Sequence, residues 1–209
     1  MKFGIFILLL ILGYLVGSLC FALLISKIFC FKDPRLLGSK NPGATNILRV
    51  FGFKYGVLVL FFDIIKGVVP VLFSQFCNLD QNKIIYICIA SIIGHMYPIF
   101  FKFSGGKGIA TAFGSLSFLY YKFSIFIFIF WILIFILTGY ASLASIVSIF
   151  ICFFIIFFIV KSKIEIFLIF FIGLLLIYKH KNNIVSLING SENKINLLFT
   201  FLSKKSLNK

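Results

Sequence analysis

The chain has 209 residues, of which 62% are hydrophobic and 12% charged, with a mean hydropathy of +1.17. Soluble domains are about half apolar and a quarter charged, so a soluble enzyme is excluded and an all-α, polytopic transmembrane helix bundle is expected. Twenty Lys and Arg against five Asp and Glu give a net charge of +15; the basic residues flank apolar runs instead of forming one stripe, which favours anionic headgroups and phosphorylated ligands over nucleic acid.

The first apolar run, residues 3–29, is too long for a signal-peptide core and has no clear small-residue cleavage site, so it reads as a helix. A polar connection, residues 31–54, follows. A second helix is expected over 56–76, then a short polar turn at 78–83 and a third helix over 84–101. From Ile109 to Val160 the chain is apolar again, with soft breaks at Tyr120-Tyr121-Lys122 and Thr138-Gly139-Tyr140. A last helix, 164–178, ends in a polar tail. The runs lack the polar alternation of a membrane β-barrel.

Residues 109–120 are short for a full crossing, which is acceptable where the backbone lines a protein cavity. Counting them gives seven helices in a single integral-membrane domain over residues 1–209. The polar regions 27–54, 102–107 and 179–209 then share one face and carry fourteen Lys and Arg. The other face holds five: Lys2, Lys83, Lys122, Lys161 and Lys163. Positive charge marks the cytoplasmic side, so the N-terminus lies outside and the C-terminus inside. Six helices would strand the basic tail on the wrong face.

Cys20, Cys30, Cys77, Cys88 and Cys152 are scattered, odd in number and mostly within apolar runs, with no CxxC or Cys/His cluster. They read as small buried hydrophobes, and neither a metal site nor a disulfide framework is indicated.

Two glycine-rich basic segments lie where helices should meet water: Gly38-Ser39-Lys40-Asn41-Pro42-Gly43-Ala44-Thr45-Asn46, followed by Arg49, and Ser104-Gly105-Gly106-Lys107-Gly108. Glycines let backbone N–H groups approach an anion, lysine adds a point charge, and arginine binds phosphate with a two-pronged fork. The second segment is not a nucleotide P-loop. Phe101 stands where the pattern's first glycine should be, six residues before Lys107, and Gly108 stands where Ser or Thr should hold magnesium. His95 precedes it, as a structural hydrogen-bonding group or a catalyst. A third segment, Tyr178-Lys179-His180-Lys181-Asn182-Asn183 through Glu192, is basic and juxtamembrane. In the second helix Asp63 and Lys66 are three residues apart and can pair, as a functional site or a structural ion pair.

These three segments, in this order and on one face, resemble the bacterial acyl-phosphate:glycerol-3-phosphate acyltransferases over essentially the whole chain. Gly38-Ser39, Asn41 to Asn46 and Arg49 are similar to the family's first motif. Gly94-His95, Pro98, Phe100 and Phe103 to Thr111 are similar to its second, and His180, Asn183-Ile184, Leu187, Gly190 and Glu192 to its third. Asp63, Lys66 and Gly67 echo a further family pattern. Lys40 stands where glycine is usual, Lys181 and Ser186 where arginine is usual.

The resemblance implies acyl transfer from acyl phosphate to the 1-hydroxyl of glycerol 3-phosphate, giving 1-acylglycerol 3-phosphate and phosphate. The protein is expected to act as a monomer in the bacterial inner membrane, without cofactor or metal. Ser39, Arg49, His180 and Asn183 are the expected catalytic residues. Asn41, Gly43, Thr45, Asn46, His95, Ser104, Gly105, Gly106, Lys107, Gly108 and Glu192 are expected to bind substrate. His180 is either a general base or a hydrogen-bond partner. The His-x4-Asp signature of other acyltransferases is absent, since Phe100 and Val185 stand five residues beyond the two histidines. A small-anion transporter is the competing reading, but no internal repeat supports it.

Overall fold

The computed structural model describes residues 2–195, and within them every regular element is helical. The first apolar run is not one helix. It divides into α1 (Lys2–Gly17) and α2 (Phe21–Ile28), bent by 46°. The break frees the Leu19 carbonyl, which accepts a hydrogen bond from Lys66 Nζ at 2.7 Å, so a buried ammonium satisfies a group the helix has abandoned.

A short 3-10 turn, Pro34–Leu36, leads to α3 (Ala44–Phe51), and Gly52 separates α3 from α4 (Phe53–Phe76). Next comes α5 (Gln81–Met96). It stops five residues earlier than its apolar pattern suggests, because Pro98 cannot continue a helix, and a 3-10 turn at Ile99–Phe101 follows. The remaining elements are α6 (Ile109–Leu119), α7 (Tyr121–Thr138), α8 (Ala141–Ile159), α9 (Lys163–Lys179) and α10 (Lys181–Ile188).

With α1 and α2 taken as one broken unit, seven apolar helical segments run through the bundle. Among the described residues, four helices are long and apolar enough to cross a membrane alone, and five if the bent pair is one span. The 11-residue α6 is the short member. At 1.5 Å per residue it covers only about 16 Å, roughly half the hydrocarbon thickness. It wedges tightly against α4: a Cβ at Gly67 would overlap the Thr111 carbonyl, and one at Gly114 would overlap the Ile64 carbonyl. Its two ends nevertheless reach opposite faces. Gly108 enters it beside Met96 and Leu176, whereas Tyr120 leaves it toward Gln81 and Glu165, at the far ends of α5 and α9. The chain therefore returns after α9 to the face that carries the glycine-rich loops.

Between α4 and α5 lies a cluster of charge with almost no solvent exposure. Lys66 Nζ is 2.7 Å from Asp63 Oδ1, and His95 Nδ1 lies 3.6 Å from the same oxygen. The sequence left this pair open as a functional site or a structural ion pair; the structure buries it between the helices. The lysines of the tail beyond Ile195 (Lys204, Lys205, Lys209) lie outside the described residues.

Candidate active site

The first loop is built around Asn46, which sits buried in the first turn of α3. Its Nδ2 donates to the carbonyls of Pro34 (2.9 Å) and Leu37 (3.0 Å), and its Oδ1 accepts from the Ser39 N–H (2.9 Å). Gly38 passes close to that oxygen with φ +56°, where a side chain would collide. Asp33 caps the preceding turn and takes the Arg35 guanidinium in a 2.6 Å ion pair, so Arg35 is internally neutralised. The result presents Ser39, Asn41, Gly43, Thr45 and Arg49 to a common space. Ser39 Oγ finds no hydrogen-bond partner among the described residues, nor does the buried Arg49 Nε. Lys40 adopts φ +57°, a conformation that favours glycine.

The second loop folds back over His95. The Gly106 N–H donates to the His95 carbonyl at 3.2 Å, and a Cβ at Gly106 would strike the imidazole Nε2. The sequence reading had this amide cradling a phosphate; it is already committed to His95, and Gly106 is glycine because the loop must lie flat on that ring. Lys107 projects from this support and donates to Asn183 Oδ1 in the third segment. Asn183 Nδ2 donates in turn to Glu192 Oε1 (2.8 Å), which also accepts from Ser142 Oγ (2.7 Å) at the start of α8. Arg49 NH1 approaches Asn46 Oδ1, and NH2 reaches the Asn193 carbonyl, both at 3.3 Å. The second segment is thereby tied to the third, and the first to the residue that follows it. Ser142 carries no sequence signal, since it is one serine opening a long apolar helix.

His180 caps α9 and is buried. Its Nδ1 lies 2.8 Å from the Leu176 carbonyl, which requires the proton on Nδ1 and leaves Nε2 as an acceptor in the neutral ring. Burial, helped by the nearby Lys107 ammonium, pulls the His180 pKa down to about 4. Burial also lowers Lys107 to about 8, with Glu192 opposing and Arg49 reinforcing the change.

Two cavities meet here. One, of about 440 Å³, has a polar mouth formed by Ser39, Asn41, Arg49, Lys107, His180 and Asn183, and runs between α6, α7, α8 and α9 along apolar walls. The other, of about 480 Å³, opens among Lys40, Tyr97, Ser104, Gly105, Lys179 and Lys181. Ser39, Asn41, Lys107, Asn183 and Glu192 border both. Of the residues expected at the site, Gly43, Thr45, Asn46, His95 and Gly108 also line the first cavity, and Ser104 and Gly105 the second; Gly106 lies beneath. Sequence reasoning missed Ser142, Tyr97 and Lys179; the last donates to the Met96 carbonyl at 3.1 Å and packs over the Tyr97 ring. Lys40, Lys181 and Ser186, the three departures from the family pattern, all border the second cavity.

An apolar cavity joined to a basic one, within a helical membrane bundle, defines a protein that handles an amphiphile and an anion together. The sequence profile of the glycerol-3-phosphate acyltransferase family matches residues 7–190. A glycerol-3-phosphate acyltransferase of Blochmanniella floridana is 45% identical over 188 residues, covering 90% of this chain and 95% of the relative. One from Legionella pneumophila is 41% identical over 193 residues, covering 92% and 69%. The crystal structure of PlsY, an integral membrane glycerol 3-phosphate acyltransferase, superposes with a TM-score of 0.88 in its glycerol 3-phosphate form and 0.85 in its lysophosphatidic acid form. Those chains are 39% and 38% identical to this one, with 94% of this chain and 98% of each covered. The chain belongs to the glycerol-3-phosphate acyltransferase family and is an integral membrane enzyme.

Proposed function

We propose that this glycerol-3-phosphate acyltransferase takes its acyl group from acyl phosphate, at a site open to the cytoplasm of an inner membrane. The observation that carries the reading is the wall shared by the two cavities. Acyl phosphate is an amphiphile whose tail suits the apolar cavity while its head lies at the wall. Glycerol 3-phosphate is wholly polar and suits the basic cavity on the other side. The reacting carbonyl and hydroxyl then meet at Ser39, Lys107 and Asn183. The excess of basic residues on this face supports the cytoplasmic orientation.

The glycerol 1-oxygen attacks the acyl carbonyl, an ester C–O bond forms, and the bond between the acyl carbon and the phosphate oxygen breaks. The mixed anhydride is already activated, so the chain's own residues need only align it and stabilise charge. A histidine with a pKa near 4 is a weak base at neutral pH. His180 therefore orients the attacking hydroxyl through Nε2, and the hydroxyl proton passes to an oxygen of the departing phosphate. Arg49 Nε and Lys107 stabilise the negative charge, and Ser39 Oγ supplies one further hydrogen bond. Asn46 and Glu192 act from behind: Asn46 braces the first loop and Glu192 holds Asn183. His95 supports the second loop.

The test is an assay of the purified protein with glycerol 3-phosphate and one of three donors: palmitoyl phosphate, palmitoyl-CoA or palmitoyl-acyl carrier protein. Lysophosphatidate and inorganic phosphate should form in equal amounts from palmitoyl phosphate. Turnover with the thioesters and none with palmitoyl phosphate refutes the donor assignment.

A further inference from the structure

The apolar cavity has a length as well as a polarity. Its α8 wall is one helical stripe, from Ser142 and Ser145 at the mouth through Ser148 and Cys152 to Ile156 and Ile159. The serines of this wall lie toward the mouth, and beyond them it is apolar, with Ile149 and Phe153 beside the stripe. At 1.5 Å per residue the stripe is about 25 Å long.

At the deep end stands Tyr120, in the short non-helical link between α6 and α7, where it lines the cavity. Its ring packs against the cluster that contains Ile156, Val160, Leu168 and Ile169. Its hydroxyl is held from two directions: it donates to Glu165 Oε2 at 2.7 Å in the first turn of α9, and accepts from Gln81 Nε2 at 3.0 Å in the first turn of α5. Past the ring the surroundings are therefore hydrogen-bonded and charged. A methyl group reaching that point must break a charge-assisted bond and desolvate a carboxylate, neither of which it can replace.

We propose that Tyr120 is the floor of the acyl cavity and sets the longest acyl chain that the enzyme accepts. Glu165 and Gln81 are positioning residues that hold the floor in place. The proposal rests on the placement of the acyl tail in this cavity, as argued above. If the tail instead leaves sideways between the helices into lipid, Tyr120 has no influence on chain length.

The experiment measures kcat/KM of the full chain in phospholipid nanodiscs with lauroyl, palmitoyl, stearoyl and arachidoyl phosphates. Tyr120→Ala deepens the cavity and should raise the arachidoyl-to-lauroyl ratio roughly tenfold or more, the discrimination typical of one or two methylenes in an apolar pocket. Tyr120→Trp raises the floor and should lower the stearoyl-to-lauroyl ratio by a similar factor. Tyr120→Phe keeps the ring but cuts its tether, giving a smaller shift in the direction of the alanine variant, and it serves if the alanine variant does not fold. Wild-type ratios in every variant that folds overturn the proposal. Should the protein use only acyl-CoA, the donor assignment fails by itself, and the same ratios measured with acyl-CoA of these chain lengths still decide the floor.

Discussion

Two clusters of buried charge lie in one bundle, and they differ in how the charge is balanced. Between α4 and α5, Lys66 has a carboxylate and a carbonyl each at 2.7 Å, so no positive charge is left over. At the mouth of the apolar cavity Arg49 and Lys107 stand near Lys179 and Lys181, and the single carboxylate there, Glu192, is already shared by Ser142 and Asn183. The first cluster is balanced within itself and ties α4 to α5 and to the break after α1, although Asp63 and His95 edge the apolar cavity. The second lacks countercharge, and that deficit suits it to anions. A charge inside a membrane span is thus a weak marker of a site by itself, and an uncompensated set of cations with free donors is a stronger one.

The comparison is broken most decisively at Lys66. Lys66→Met strands the Asp63 carboxylate and should destabilise the protein by about 3–5 kcal/mol, seen as a large drop in thermal unfolding temperature in detergent. The double variant Asp63→Leu/Lys66→Met should recover most of that loss. If Lys66→Met is as stable as wild type, the cluster is not structural. Lys107→Ala should behave in the opposite way. Stability should hold or rise, because a half-buried cation is removed, while kcat/KM falls by about 1.5–3 kcal/mol, roughly ten- to a hundredfold. Unchanged kinetics would remove Lys107 from the site.

A pH profile sharpens the contrast further. The Lys107 pKa lies at about 8, below the ordinary lysine value, so the ammonium is present below that pH and lost above it. The kcat/KM for glycerol 3-phosphate should therefore fall as pH rises through about 8, and Lys107→Arg should flatten this limb, since a guanidinium stays charged. On the acid side His180, with a pKa of about 4, remains neutral through the mildly acidic range and should contribute no inflection near 6.5. The smallest effect is expected at Lys40. Lys40→Gly relieves a left-handed conformation and should stabilise the protein by about 1 kcal/mol, with at most a modest rise in the KM for glycerol 3-phosphate. No gain in stability would show that the loop relaxes around the lysine.

Much of the site was legible because its residue types are out of place in so apolar a chain. Glycine, asparagine and lysine at the ends of hydrophobic runs stand out, and the same-face argument from charge brought the three segments together before any contact was known. Individual roles were less legible. Asn46 reads as one more ligand-binding amide, and only its bonds to Pro34, Leu37 and Ser39 show it as a brace. Gly106 reads as an anion cradle until His95 is found beneath it. The break between Gly17 and Phe21 is hidden in a uniformly apolar run, because the group that stabilises it, Lys66, lies 47 residues away from Leu19.

The sequence by itself determined the environment, the helical class, the number of apolar segments and the gathering of the three polar segments on one face. These follow from local hydropathy and charge, which each segment carries wherever it packs. Tertiary structure decided which polar groups are already satisfied, where α6 is allowed to be short, that two cavities share one wall, and that Tyr120 lines the apolar one far from that wall. A cavity is the space that packing leaves empty, and no single segment encodes it. Its walls come from helices far apart in the chain, and a donor such as Lys107 becomes a site or a structural tie only according to the partners that the fold brings within reach.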